Sequence, residues 1–420
     1  MRSAGIVAAA FGAIVLSAPA SAEEPKARAR DLGVPFEGTL GPLNAITDVA
    51  GVEVGHVTLL RGSGPLVVGK GPVRTGVTAV LPRGKQSTTP VFGAWFTLNA
   101  AGEMTGTTWL EERGQLDGPI LITNTHSVGV VRDAAVAWMV KSGWPAEWHT
   151  PVVAETWDGV LNDLNGFHVR QEHALRAIES ARAGPVEEGA VGGGTGMICS
   201  RFKGGIGTAS RRLPAADGGY TVGVLVQCNY GARGILRVAG APVGEALKDR
   251  YLPCYTATAP AKRRFPFADC AARTAAADPA AEPENADGSI IVVVATDAPL
   301  LPHQLKRLAK RPSLGLGRLG SIASDGSGDI FVAFSTANPQ IRSVQDQPGA
   351  TAVQMHPNDR LSPLFEAVVQ ATEEAVVNAM IAARTMEGAD GLRVYGLPHE
   401  ELRAILRRHG RLTPRAGGGG

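Results

Sequence analysis

The sequence predicts a mixed α/β protein whose helices cover the faces of β-sheets, and three observations lead to this fold class. Short apolar runs rich in β-branched residues alternate along the chain with stretches of helical spacing. The 53 glycines exceed average usage and suit the tight turns between many short strands. Hydrophobic types make up 44% of the 420 residues and charged types 19%, so the chain can bury a large core.

Strand and helix candidates follow one another through the chain. Strands are predicted at 76–81, 119–122, 220–226, 289–295 and 330–334. Helices are predicted at 128–140, 173–182, 302–310, 361–384 and 400–408. The longest helix candidate has Pro363 in its first turn and Gly388 beyond its end, which is the usual distribution of these two residue types.

The first 22 residues have the pattern of a secretory signal peptide. Arg2 precedes an apolar run at 6–16, and the small residues Ala20-Ser21-Ala22 follow it. The run is shorter than the ~20 apolar residues that a membrane span needs. We therefore expect residues 1–22 to be removed on export, the protein to be periplasmic or secreted, and the mature chain to have no membrane association.

Composition and motifs argue against several classes of function. The 41 basic and 39 acidic residues are spread along the chain, so no basic stripe for nucleic acid is expected. A phosphate-loop spacing at 64–70 has Gly71 where Ser or Thr should bind magnesium, and a dinucleotide pattern at 315–320 follows a helix candidate instead of a strand. The nine histidines are scattered, which favours structural roles for His56 and His126. We expect neither a metal nor another cofactor.

The sequence has four cysteines, which can form disulfides in an exported protein. Cys254 and Cys270 flank a polar stretch, and the sequence leaves open whether they are bridged. Cys199 and Cys228 lie in apolar, strand-like runs, where we expect buried free thiols.

A candidate nucleophile stands where a linker meets a core strand. Residues 271–287 form an Ala/Pro/Glu/Asp tract with too little apolar surface to order itself, so an exposed, mobile linker is expected. The continuous β-branched run that follows is typical of a strand buried on both faces. If the bond between Gly288 and Ser289 is cut, Ser289 gains an α-amine that can take its own hydroxyl proton. The chain has no Gly-x-Ser-x-Gly elbow to activate a serine in another way.

Ser327 and Asp329 lie two residues apart just before the strand candidate at 330–334. In extended geometry their side chains would point the same way and could form a hydrogen-bonded relay. The surrounding Ser-Asp-Gly-Ser-Gly-Asp sequence is rich in turn formers, so a simple turn also fits these residues.

Longer strings carry a resemblance to a known family. From about Gly41 to Pro398 the chain resembles the DmpA/BapA family of self-processing aminopeptidases, which includes L-aminopeptidase/D-esterases and β-peptidyl aminopeptidases. The matching strings are Asn44-Ala45-Ile46-Thr47-Asp48-Val49, Thr123-Asn124-Thr125-His126-Ser127-Val128-Gly129, Val191-Gly192-Gly193-Gly194-Thr195-Gly196-Met197, Phe202-Lys203-Gly204-Gly205-Ile206-Gly207, Val226-Gln227-Cys228-Asn229-Tyr230-Gly231, Ala295-Thr296-Asp297-Ala298-Pro299-Leu300 and Gly326-Ser327-Gly328-Asp329.

The resemblance implies an αββα sandwich, in which two sheets are enclosed by helices, and a catalytic serine at Ser289. Cleavage before Ser289 would give an α chain of residues 23–288 and a β chain of residues 289–420, which together form one globular domain. Matching positions make Ser327 and Asp329 the supporting polar pair and Asn229 the oxyanion donor. Glu155 matches the acid that receives the substrate's free amine, and the family assembles as homo-oligomers of αβ units.

The chain departs from the family in three places. Trp157 stands where relatives usually have Tyr, which exchanges a hydroxyl for an indole that only donates. Ala100 replaces a usual glycine, and residues 259–287 look like an insertion before the cleavage point. We expect an aminopeptidase or amidase that acts on small peptides, amides or esters with a free amine. Alternatives are acyl transfer, as in the related ornithine acetyltransferases, and a non-catalytic binding protein on the same scaffold.

Overall fold

The computed structural model of the protein describes residues 26–257, 259–272, 288–341 and 349–413, together with Met1. The predicted signal peptide and nearly all of the predicted linker lie outside this part of the chain, so both stay predictions. Among the described residues, no helix is both long and apolar enough to cross a bilayer.

The strands, in chain order, are β1 (Glu53–Arg61), β2 (Val73–Leu81), β3 (Val91–Ala100), β4 (Gln115–Leu116), β5 (Ile120–Asn124), β6 (Val152–Thr156), β7 (Ile198–Cys199), β8 (Phe202–Lys203), β9 (Gly205–Arg212), β10 (Thr221–Asn229), β11 (Cys254–Tyr255), β12 (Ser289–Thr296), β13 (Gly328–Ser335), β14 (Met386–Glu387) and β15 (Leu392–Val394). The α-helices are α1 (Thr107–Arg113), α2 (Val128–Lys141), α3 (Gln171–Ser180), α4 (Val243–Ala246), α5 (Pro302–Ala309), α6 (Pro312–Arg318), α7 (Ser362–Ala382) and α8 (His399–Arg408). Each predicted strand and helix overlaps one of these elements, with ends that agree within three residues.

Two large sheets form the centre of the molecule. One has four strands in the order β1-β2-β5-β6, and the other has six in the order β4-β3-β13-β12-β10-β9. In the larger sheet, β12 is parallel to β13 and antiparallel to β10, so it is a central strand. All eight residues of β12 are buried, as its unbroken β-branched run predicts.

The pleat of β12 divides its side chains between two cores. Ile290 and Val292 belong to a cluster that includes residues of α5, α6 and α7, whereas Ile291 and Val293 belong to a cluster shared with the smaller sheet. A third cluster joins the outer face of that smaller sheet to α2 and α3. The layers therefore run helix, sheet, sheet, helix, and the predicted αββα sandwich is confirmed.

Two disulfides lie in the described part of the chain. Cys254 pairs with Cys270 at a Cα–Cα distance of 5.0 Å, which resolves the question that the sequence left open. Cys199 pairs with Cys228 at 5.6 Å, so the expectation of buried free thiols at these positions is wrong. The sequence hid this pairing because the two residues are 29 apart, and only the packing of the β7–β8 hairpin against the end of β10 brings them together.

Candidate active site

Ser289 is the first residue of the central strand β12, and strand register decides its neighbours. It lies opposite Asn229 of β10 on one side and opposite Gly328 of β13 on the other. Its exposed fraction is only 5%. Three of the predicted site segments, which are distant in sequence, therefore meet at one end of the larger sheet.

Ser327 and Asp329 flank Gly328 beside this serine. The Ser327 hydroxyl donates to Asp329 Oδ1 at 2.7 Å, and the second carboxylate oxygen, Oδ2, is buried without a partner in the described structure. Burial raises the pKa of Asp329 to about 6, although the Ser327 hydrogen bond opposes that shift. A turn does precede Ser327, but β13 begins at Gly328, so the extended interpretation of this pair applies.

The peptide bond between Gly288 and Ser289 is held closely on both sides. The Gly288 carbonyl oxygen accepts a hydrogen bond of 3.0 Å from the Gly328 N–H. A Cβ at Gly288 would lie 2.2 Å from the carbonyl oxygen of Asn229, so only glycine fits there. A Cβ at Gly328 would lie 3.0 Å from Ser289 Oγ and 2.5 Å from the Ala101 carbonyl oxygen. The two glycines thus allow the Gly288 carbonyl and the Ser289 hydroxyl to lie close to the backbone of the neighbouring strands.

The amide of Asn229 has a defined orientation. Its Oδ1 accepts a hydrogen bond of 2.8 Å from the Ile198 N–H, and its Nδ2 donates to the Trp157 carbonyl oxygen at 2.9 Å. An amide nitrogen carries two N–H groups, so the second one is left for another acceptor. Because Asn229 pairs with Ser289, that donor stands beside the serine, where an oxyanion would form.

A buried lysine bonds to the segment that orients this asparagine. Lys203 is fully buried, and its Nζ donates to the carbonyl oxygens of Met197 at 2.6 Å and Gly204 at 2.8 Å. Met197 precedes Ile198, so the lysine holds the segment whose N–H orients Asn229. Burial lowers the pKa of Lys203 to about 7, and the nearby Asp158 opposes that shift.

Glu155 lies near the same end of the larger sheet, on β6 of the smaller one. It is 3% exposed; its Oε1 accepts a hydrogen bond of 3.0 Å from the Glu103 N–H, and its Oε2 accepts one from the Thr125 hydroxyl. A Cβ at Gly102 would lie 3.1 Å from Glu155 Oε1 and 3.4 Å from the Gly328 Cα. Because Gly328 lies opposite Ser289, the Glu155 carboxylate is close to the strand end that carries the serine. Burial raises the pKa of Glu155.

Trp157 lies just beyond the end of β6, at the rim of this site. Its indole is 40% exposed and packs over Gly159, where a Cβ would lie 2.5 Å from the ring. Asn229 bonds to its backbone carbonyl and not to its indole. The rim position explains how an indole fits at a place where relatives usually have Tyr.

The two histidines interpreted as structural each have a packing or hydrogen-bond partner, and the charge of His126 also acts on Glu155. His56 bonds through Nδ1 to the Thr78 hydroxyl at 3.0 Å, and burial lowers its pKa to about 4. His126 stacks on Phe167 with ring centroids 5.7 Å apart. Among the described residues, no group of three or more His, Cys, Asp or Glu side chains is arranged to hold a metal ion.

A protein-family model for peptidase family S58 matches residues 44–394, which is most of the chain. The chain belongs to peptidase family S58. Proteins named BapA are similar to this chain over nearly its whole length, which confirms the resemblance seen in the sequence strings. The beta-peptidyl aminopeptidase BapA of Sphingosinicella microcystinivorans is 61% identical over 405 residues, which cover 96% of this chain and 98% of the relative.

Two solved aminopeptidase structures share most of this fold. A Burkholderia sp. beta-aminopeptidase has a TM-score of 0.78 at 47% identity and covers 91% of this chain and 99% of its own. The L-aminopeptidase D-Ala-esterase/amidase of Ochrobactrum anthropi, described as a prototype for the serine aminopeptidases with a variant of the Ntn-hydrolase fold, has a TM-score of 0.79 at 45% identity, with 92% and 99% covered. This S58 member is therefore an aminopeptidase with the N-terminal nucleophile (Ntn) hydrolase type of fold.

Sequence reasoning missed several groups around the serine of this S58 enzyme. Lys203 was part of a family string but had no role, although a lysine inside a Gly-rich apolar run is a signal of burial. The backbone N–H groups of Ile198 and Gly328 leave no signal in a sequence, because every residue except proline has one.

Proposed function

We propose that this chain is an exported, self-processing aminopeptidase that uses Ser289 as its nucleophile and removes N-terminal residues from small peptides, amides or esters with a free amine. One observation carries the proposal: Ser289 begins a central buried strand, with the Gly288 carbonyl oxygen already bonded to the Gly328 N–H at 3.0 Å. The names of the relatives favour β-amino residues among the substrates.

Self-cleavage starts at the Gly288 carbonyl. The Ser289 Oγ attacks this carbon, the C–N bond to Ser289 breaks, and the hydroxyl proton goes to the departing nitrogen. The resulting ester joins the Gly288 carbonyl to Ser289 Oγ. Water then hydrolyses it, which yields a Gly288 carboxylate and restores the hydroxyl. The Gly328 N–H supports this step because it already polarises the reacting carbonyl.

Peptide hydrolysis uses the amine that self-cleavage creates. An α-amine has a reference pKa of ~7.7 to 8.0, so a substantial neutral fraction can take the Ser289 proton near neutral pH. The free N–H of Asn229 stabilises the oxyanion, since its other N–H is committed to the Trp157 carbonyl. The Ser327–Asp329 pair supports the serine from β13.

Glu155 supplies the preference for a free amine. A substrate ammonium that leaves water for this enclosed site needs a charged partner to offset its desolvation. The Glu155 carboxylate is buried and accepts two hydrogen bonds from the part of the chain that the structure describes, so lone pairs remain for the ammonium. Export and an assembly of several αβ units belong to the same proposal, and rest on the signal-peptide pattern and on the family resemblance.

The proposal is tested by Ser289→Ala, with Ser321→Ala as the matched control. Ser321 also follows a glycine but begins no strand. We expect intact mass to show two chains, 23–288 and 289–420, for the parent and for Ser321→Ala, and one uncut, inactive chain for Ser289→Ala. An active but uncut parent, or normal cutting in Ser289→Ala, would rule out the N-terminal amine mechanism.

A further inference from the structure

An aromatic segment lies against the rim of the site. Residues 263–267, which we call the arm, belong to the stretch that the sequence marks as an insertion, and they lie between the bridged Cys254 and Cys270. The Phe265 ring meets the Trp157 indole edge-on, with centroids 6.3 Å apart and an interplanar angle of 77°. Phe267 packs instead on Phe265 and beneath the guanidinium of Arg201.

The arm is anchored to both sides of the cleavage point. Arg264 donates to the carbonyl oxygens of Gly159 at 2.8 Å and Val160 at 3.1 Å, two and three residues after Trp157. It also pairs with Asp390, which lies after the cleavage point. The Phe265 N–H donates to the Tyr255 hydroxyl at 3.0 Å. These bonds fix Phe265 relative to the turn that carries the indole, so cleavage before Ser289 leaves the contact in place.

The indole is confined between the arm and its own turn. Gly159 leaves no room on one side, since a Cβ there would lie 2.5 Å from the ring, and Phe265 covers another edge. Trp157 is two residues beyond Glu155, and its carbonyl bonds to Asn229 beside Ser289. Trp157 keeps 40% of its surface exposed, so part of the ring remains available on the turn whose backbone is bonded to Asn229.

We propose that Trp157 and Phe265 form an aromatic wall of the substrate site and that the arm thereby favours substrates whose N-terminal residue has a large apolar side chain. This rests on the proposed function, because the site is the one that Ser289 and Glu155 define. Apolar pockets distinguish side chains that differ by a methylene by roughly 10- to 200-fold, so an aromatic wall is sufficient to set such a preference.

The test compares the kcat/KM of a leucine-like substrate with that of an alanine-like one, both as free-amine amides of α- and β-amino acids. Phe265→Ala should lower this ratio about tenfold, since the wall loses one ring and the indole loses its support. Phe265→Tyr keeps the ring and should keep the ratio. Phe267→Ala, which removes a neighbouring ring with no contact to the indole, should also leave it within about twofold.

Two further readouts separate this proposal from the one on which it rests. Self-cleavage and the preference for a free amine should persist in Phe265→Ala, because neither involves the arm, and thermal unfolding checks that the variant is folded. An unchanged or increased ratio in a folded, self-cleaving Phe265→Ala would overturn the aromatic wall alone. A parent protein that neither cleaves itself nor hydrolyses these amides would overturn the proposed function together with the wall.

Discussion

Ser289, Asn229 and Asp329 stand on three neighbouring strands of the larger sheet, whereas Trp157 lies just after β6 of the smaller sheet and the arm lies on a loop. The three strand residues are at most 6% exposed, and the indole is 40% exposed. Strand register holds reacting groups in place because sliding by one residue would turn every side chain to the other face. Loops tolerate change more readily, so recognition can vary while the chemistry stays constant.

The stretch 259–287, which the sequence marks as an insertion, agrees with this division. Its residues 263–267 form the aromatic arm beside Trp157, and β12 begins after it, at Ser289. If the comparison holds, changes at the strand end should reduce kcat for every substrate, whereas changes at the rim should alter which substrates are preferred.

The largest effect is expected at Asn229. Asn229→Asp keeps the shape of the side chain but removes both N–H donors, so kcat should fall by roughly 10²- to 10³-fold for all substrates, as for the loss of one oxyanion donor elsewhere. Steady-state kinetics on cleaved protein would measure it. A variant that changes KM but keeps kcat would show that Asn229 is part of the rim and not of the chemistry.

Glu155→Gln should have the next largest effect, and a selective one. Leaving a buried ammonium without its carboxylate costs about 2 to 5 kcal/mol, so kcat/KM for free-amine substrates should fall about 30-fold or more. Self-cleavage should continue, because that step involves no free amine. Glu103→Gln is the comparison variant. Glu103 is exposed and bonds to Glu155 through its backbone N–H, and its side chain acts on Glu155 only by charge repulsion, so this variant should change the amine preference far less.

An unchanged preference for free over N-acetylated amines in Glu155→Gln would make Glu155 a structural carboxylate. The amine site would then lie elsewhere, and recognition would be left to the rim residues Trp157 and Phe265.

Lys203→Met should lower kcat about tenfold with little change in KM, since it loosens the Met197–Ile198 segment that orients the oxyanion donor. Arg233→Met is the control. Arg233 is just as buried, lies over the Phe202 ring at 3.3 Å and bonds to the Ser200 carbonyl oxygen of the same hairpin. Both variants should melt at lower temperature, but only Lys203→Met should lose kcat in the protein that stays folded. Equal losses of kcat would give Lys203 a purely structural role.

The smallest expected effect is on the pH profile. Because the pKa of Asp329 is raised to about 6, its carboxylate is lost as pH falls through that value, and activity should fall with it. Protonation of Asp329 has the opposite effect on stability. The folded state binds this proton more tightly than the unfolded state, because the folded-state pKa is about 6 and the ordinary pKa is 3.8. Lowering the pH from about 6 towards 3.8 therefore increases the contribution of Asp329 to the free energy of unfolding. Protonation of the Ser289 α-amine, with a reference pKa of ~7.7 to 8.0, already lowers activity at higher pH, and Asp158 also has a pKa of about 6. Asp329→Asn is therefore needed to assign the lower part of the acidic limb.

Local patterns in the sequence were sufficient for much of the fold. The β-branched run of β12 and the proline-started helix α7 each appear where their residues predict them, because burial on two faces and helix initiation leave compositional signals within a few residues. The predicted linker before Ser289 and the family strings together lead to the proposal that Ser289 is the nucleophile. The αββα arrangement is predicted from the same strings. Periodicity alone indicates that helices cover sheets, but it does not give the number of sheets or layers.

Only the tertiary structure decided what surrounds Ser289. The Cys199–Cys228 bridge, the Lys203 contacts with the segment that orients Asn229 and the contact of Phe265 with Trp157 join segments whose local patterns say nothing about each other. The sequence around a cysteine, a lysine or a phenylalanine does not show whether its side chain has a partner elsewhere in the chain. Their partners depend on sheet register and chain crossing, which arise from the burial of the whole core and not from any short stretch of it.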